Sequence, residues 1–270
     1  MTEVLTLVTL SAYDQVTGRA TGRAGCAGQA EGLWYETSMV CEVWWARPEA
    51  ARPWHRELFT AEERARADAY RRPEDRDRFT VGCATSRIVL GRLLGLPPEK
   101  VPLRRDCAGC GRPHGRPYLP GGEYHLSVSH SGDWVAVAVT DLGPVGIDVE
   151  RHAARAAELA EAVLAPAEAE AYARLPEAER AAALIAYWTR KEAVLKATGD
   201  GLRAPLRGVT VSAPHEPPAL LAFAGRPGLV MALCALAPRP GHAAVLAIHG
   251  VAEPPPVAEH DATPLLTTPP

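Results

Sequence analysis

Apolar positions change their period several times along this chain, and each change marks an element. After Met39, Val40-Cys41-Glu42-Val43-Trp44-Trp45 alternates and predicts a strand. Thr60-Ala61-Glu62-Glu63 is a capping-box pattern that opens an arginine-rich helix. Pro73 breaks it, and Glu74-Asp75 start a second helix that runs to Leu94-Gly95. Tyr124 to Glu150 reads as a meander: a strand ending near Ser131, the strand Val135-Ala136-Val137-Ala138-Val139, a Gly143-Pro144 turn and the strand Val145 to Glu150. A meander places the Asp148/Glu150 face beside the neighbouring strand. Residues 153 to 198 read as helix, with a restart at Pro166, a break near Leu175-Pro176 and a glycine stop at Gly199. Val209-Thr210-Val211, Leu229 to Leu233 and Ala243 to Ile248 are the later strand candidates. The helices ending at Gly95 and Gly199 have similar length and each is soon followed by proline, which hints at an internal duplication.

Composition narrows the ends and the setting. Residues 1–38 alternate weakly and then turn Gly/Ala/Thr-rich, so they are expected to form a flexible extension, with Met39 as the natural start. Residues 252–270 are Pro-rich and are expected to be a disordered tail. Among 270 residues, 47% are apolar and 23% charged, and the net charge of -3 points to neither nucleic acid nor an anionic membrane. No apolar run has the length of a membrane span and the start lacks a signal-peptide pattern, so a cytoplasmic protein with reduced cysteines is expected. Cys107, Cys110 and His114 supply three zinc ligands where a structural site takes four, and a tight Gly/Pro turn is the expected role of that segment.

The candidate chemistry sits in two short stretches. In the run Tyr187 to Lys196, Trp188, Glu192 and Lys196 are four apart and share one side of a helix. In Gly146 to Glu150, Asp148 and Glu150 leave a strand on one face while Ile147 and Val149 face a core. Neighbouring carboxylates repel unless a cation lies between them, and a hard divalent ion is the usual occupant. Glu192 can add a third oxygen, which leaves Lys191 and Lys196 to hold an anionic substrate. Taken singly, each pattern is also a common structural one, a helix surface pair or a polar strand edge. A metal-dependent nuclease would need a Glu-x-Lys pair, but Glu150 is followed by Arg151 and His152. A zinc-stabilised binding module centred on Cys107 and Cys110 would leave the carboxylates unexplained.

Gly146-Ile147-Asp148-Val149-Glu150 together with Trp188-Thr189-Arg190-Lys191-Glu192-Ala193-Val194-Leu195-Lys196 resembles the two-part signature of the Sfp-type 4′-phosphopantetheinyl transferases. Ser129-His130-Ser131 and Gly115-Arg116-Pro117 resemble that family's Ser-His-Ser and Gly-Lys-Pro elements. The resemblance implies an α+β fold of two similar, pseudo-duplicated halves, each a small antiparallel sheet packed by helices. Residues 39–145 would bind the adenosine and phosphate end of coenzyme A, and residues 146–251 would carry the metal and catalytic residues. The implied reaction moves 4′-phosphopantetheine from coenzyme A to a serine of an apo acyl or peptidyl carrier protein and releases adenosine 3′,5′-bisphosphate. It depends on Mg2+, with Mn2+ as a substitute. The implied metal ligands are Asp148, Glu150 and Glu192, and the implied catalytic residues are Glu192 and Lys196. Coenzyme contacts fall on Arg66, Arg78, Arg116, Ser129, His130, Lys191 and Lys196. Val149 stands where the family can carry a third acid, so water would complete that part of the metal shell. A monomer is expected.

Overall fold

The computed structural model describes residues 39–107, 111–112, 115–152, 159–237 and 239–269. The expected extension over 1–38, and Cys110 and His114 of the possible zinc site, lie outside the described residues. In the first half, strand β1 (Cys41–Ala46) is followed by helices α1 (Ala61–Asp68) and α2 (Pro73–Leu94), then strands β2 (His125–Ser131) and β3 (Trp134–Thr140). Thr60 Oγ1 accepts the Glu63 amide at 3.2 Å and the Glu63 carboxylate accepts the Thr60 amide at 2.9 Å, so the capping box forms as written in the sequence. Pro73 opens α2, and Gly95 closes it with a φ of 65°. β3 is central and pairs antiparallel with both β1 and β2.

The second half begins with β4 (Val145–Arg151). After it come α3 (Ala160–Val163), α4 (Pro166–Ala173), α5 (Glu177–Thr198), β5 (Val209–Val211), β6 (Leu220–Phe223), β7 (Met231–Ala235) and β8 (His242–His249). β4 does not extend the first sheet as a meander would. It pairs antiparallel with β8, which pairs with β7. The reason is burial: the Val145, Ile147 and Val149 face packs against Val43, Trp45, Ala136 and Ala138 of the first sheet, so the two sheets meet face to face. α2 covers the outer face of the first sheet, and α5 covers that of the second. The molecule is therefore four layers deep: helix, sheet, sheet, helix. No helix among the described residues is long and apolar enough to cross a membrane.

The duplication hinted at by the glycine stops is visible in buried charge. α1 and α4 have eight residues each, and α2 and α5 have 22 each. Glu63, third in α1, caps its own helix and pairs with Arg87 of α2, which is wholly buried. Glu168, third in α4, accepts the Ala165 amide at 2.7 Å and pairs with wholly buried Lys191 of α5. Arg87 and Lys191 occupy the same position, the fifteenth, of their respective helices.

The expected disordered tail over 252–270 is corrected by the structure. Ala258–Asp261 forms β9, parallel to β1 on the edge of the first sheet, and Thr263–Thr267 forms α6. The Ala262 amide donates to the Trp45 carbonyl at 2.7 Å, and Leu266 is completely buried among first-half residues. His55 accepts the Arg52 amide at Nδ1, so its Nε2–H donates to the Leu266 carbonyl at 3.0 Å. After the run Pro254-Pro255-Pro256 the apolar Ala262, Leu265 and Leu266 find a core, and Pro264 falls in the first turn of α6, where it costs no hydrogen bond. Leu266→Ala should lower the free energy of unfolding by about 2–5 kcal/mol, as large-to-small core changes do. Urea unfolding followed by tryptophan fluorescence measures it, and no change would mean that the segment is not docked.

Candidate active site

The site is built where β4 meets α5. Gly146 lies so close to the helix that a Cβ there would stand 2.0 Å from the Ala193 carbonyl oxygen and 2.5 Å from the Ala197 amide nitrogen. Only glycine permits that approach. It brings the α5 face carrying Glu192 and Lys196 over Asp148, two residues along β4 and on the same face. Lys196 Nζ donates to Asp148 Oδ1 at 2.6 Å, to the Ile147 carbonyl at 3.0 Å and to Ser129 Oγ at 3.0 Å.

Three carboxylates and one ammonium thus share a mostly buried volume. Asp148 and Glu192 are 1% and 2% exposed. Burial first, and then the Asp148 charge, push Glu150 and Glu192 up to about 7. Asp148 Oδ2 and Glu192 Oε1 are buried without a hydrogen-bond partner. Such excess negative charge with orphaned oxygens suits a hard cation. Among the described residues no three His, Cys, Asp or Glu side chains already stand as a formed ligand cluster, so the fit rests on the donor set and its charge.

The remaining sequence-derived candidates divide. His130 lies beside Lys196 and Arg78, and burial with those cations pushes its imidazole down to about 4, so it is neutral near pH 7. Arg78 donates to the Gly132 carbonyl at 2.8 Å and to Asp75 at 2.7 Å, which holds the β2–β3 turn beside the site. Arg116 donates to the Val145 carbonyl at 2.6 Å and to Ala197 at 3.2 Å, joining the start of β4 to the end of α5. Burial without a counter-ion pulls its guanidinium down to about 10. The Ser129 hydroxyl is fully engaged, donating to Asp148 Oδ1 at 2.9 Å while accepting the Val149 amide and Lys196.

Arg66 lines a cavity of about 370 Å³ with Arg104 and Arg105. Arg66 Nη1 and Arg105 Nε are buried without hydrogen-bond partners, and Glu62, Glu63 and Asp106 also line the cavity. Sequence reasoning missed Arg105, although the adjacent Arg104-Arg105 pair ahead of the Gly/Pro turn is a visible signal. Lys191 requires a correction: it is not beside the carboxylates. One residue before Glu192, it projects about 100° away around the helix. Its ammonium donates to Val163 and Leu206 carbonyls and to Glu168, with no exposure. Lys191 is a core strut rather than a phosphate ligand.

Two sheet-and-helix halves with an acid-rich site at their seam define the class of this protein, and its sequence relatives give the family. The model described as "4'-phosphopantetheinyl transferase superfamily" matches residues 144–244. The chain is 35% identical over 161 residues to 4'-phosphopantetheinyl transferase HetI of Nostoc sp., covering 58% of this chain and 67% of that protein. A 4'-phosphopantetheinyl transferase of Bacillus subtilis is 29% identical over 154 residues, 56% of this chain and 65% of the relative, less than two thirds of its length. The enzyme Sfp of Bacillus subtilis strain 168 is 28% identical over 193 residues, 67% of this chain and 84% of Sfp. The chain belongs to the 4′-phosphopantetheinyl transferase superfamily.

Two outcomes follow from this geometry. Lys191→Met leaves Glu168 buried alone and should lower stability by about 3–5 kcal/mol. Coenzyme A affinity of the folded fraction, measured by calorimetry, should stay unchanged; a selective loss of affinity with full stability would restore Lys191 to the binding site. In EDTA-treated protein, the raised Glu150 and Glu192 contribute stability that is full below about 4.5 and lost as pH rises through about 7. The melting temperature of wild type should therefore fall more between pH 5.5 and 8 than that of Glu192→Gln.

Proposed function

We propose that this chain is an Sfp-type 4′-phosphopantetheinyl transferase, moving the phosphopantetheine arm of coenzyme A onto a serine of an apo acyl or peptidyl carrier protein. The observation that carries this reading is the convergence of Asp148, Glu150 and Glu192 with Lys196 at the seam, with two carboxylate oxygens left unpartnered. Phosphoryl-group transfer needs positioned charge more than covalent help. Asp148, Glu150 and Glu192 would hold Mg2+ or Mn2+, which when bound neutralises the coenzyme's pyrophosphate.

The serine oxygen attacks the phosphorus on the pantetheine side, the bond to the bridging oxygen breaks, and adenosine 3′,5′-bisphosphate leaves. Glu192, directly or through a metal-bound water, would take the serine proton. Lys196 neutralises charge on the departing phosphate, which it reaches by exchanging Asp148 for the substrate. His130 stays neutral and offers a ring N–H to a phosphate oxygen. The cavity lined by Arg66, Arg104 and Arg105 takes the 3′-phosphate end, where guanidinium charge meets an anion.

Intact mass of a purified apo carrier protein tests the reading after incubation with this protein, coenzyme A and Mg2+. One phosphopantetheine should be gained, with the rate lowered roughly 10²- to 10³-fold in Asp148→Ala and Lys196→Ala and abolished by EDTA. Unmodified carriers from several pathways, with the protein folded, would rule out the transferase reading. Stoichiometric zinc in the purified protein would then favour the binding-module alternative.

A further inference from the structure

The two sheets end on β2 and β4, and these edges lie side by side without a backbone ladder. Three serine hydroxyls on alternate residues of β2 stand in for one. Ser127 Oγ accepts the Ile147 amide at 3.1 Å, Ser129 Oγ accepts Val149 at 3.3 Å and Ser131 Oγ accepts Arg151 at 3.1 Å. The constant offset of 20 residues means that the strands run in the same direction. Without these oxygens, three β4 amides would lose their partners at a largely covered edge.

A hydroxyl has one proton, and an amide N–H can only donate. The amide contact therefore fixes where each serine sends its own hydrogen. Ser129 sends it to Asp148 Oδ1, and Ser131 sends it to Glu150 Oε2 at 2.7 Å. Glu150 is the least enclosed of the three acids and is repelled by Asp148, so an untethered side chain would swing toward water. We propose that Ser131 is a positioning residue: its hydroxyl, aimed by the Arg151 amide, holds the Glu150 carboxylate in the site against the repulsion of Asp148. This rests on Glu150 serving as a cation ligand. The first half of the molecule thereby aims a ligand carried by the second.

Ser127 provides the internal control. It makes the same rung to β4, but the residue before Ile147 is Gly146, which has no carboxylate to hold. Mn2+ binding to the full chain is read from the loss of the free-ion electron paramagnetic resonance signal, with coenzyme A present and a protein-free control. Ser131→Ala should weaken Mn2+ binding roughly tenfold, the scale of a lost outer contact to a ligand. Ser127→Ala should bind as wild type does while losing comparable thermal stability, and Ser131→Thr, which keeps the oxygen, should restore binding. Equal weakening in both alanine variants, or wild-type binding by Ser131→Ala, would overturn the proposal. A wild-type protein that takes up no Mn2+ would instead remove the metal reading, and this inference with it.

Discussion

Everything in the site depends on how near α5 comes to β4 at Gly146. A methyl group at that position would meet backbone, which cannot rotate away, so the helix would have to lift off the strand. Lys196 and Glu192 would rise with it, and the 2.6 Å contact between Lys196 and Asp148 would open. A packing constraint with no chemistry of its own therefore sets the distance between charges. It also forces those charges out of water, and that is why two ordinary carboxyls are pushed up to about 7.

The same architecture is used twice with different results. Each half stacks a 22-residue helix on a sheet and locks an eight-residue helix to it through a buried glutamate–cation pair, Glu63 with Arg87 and Glu168 with Lys191. In both, the cation satisfies nearby carbonyls, Pro98 and Val101 in one half and Val163 and Leu206 in the other. These pairs hold their layers together, and isolating either partner would strand a buried charge. Only α5 adds a second charged face one residue further on, and there the site forms. The first half contributes instead through the edge of its sheet, where serines reach across to β4.

Much of this was legible in the residues themselves. The Thr60 capping box, the Pro73 start, the Gly95 and Gly199 stops and the α5 face with Trp188, Glu192 and Lys196 are set by local geometry, which a sequence states directly. So is the split of β4 into an apolar face and an acidic one. The strand β6 and the two-residue shift of β7 were not legible, because short apolar runs carry little period to read.

What only the tertiary structure decided concerns partners distant in the chain. The spacing of Val145 to Glu150 is the same in a meander as in a strand that starts a second sheet, and only face-to-face burial chose the latter. Lys191 and Lys196 are alike as residues. Which one meets an acid at the site and which is buried with Glu168 depends on what packs against each side of α5. The Pro-rich tail read as disordered because its own composition buries little, yet β1 offered it an open edge and the first-half core a place for Leu266. Local propensity and periodicity are properties of neighbours in sequence, and they determined the elements and the candidate charges. The pairing of those charges is a property of neighbours in space, and it had to wait for the packed chain.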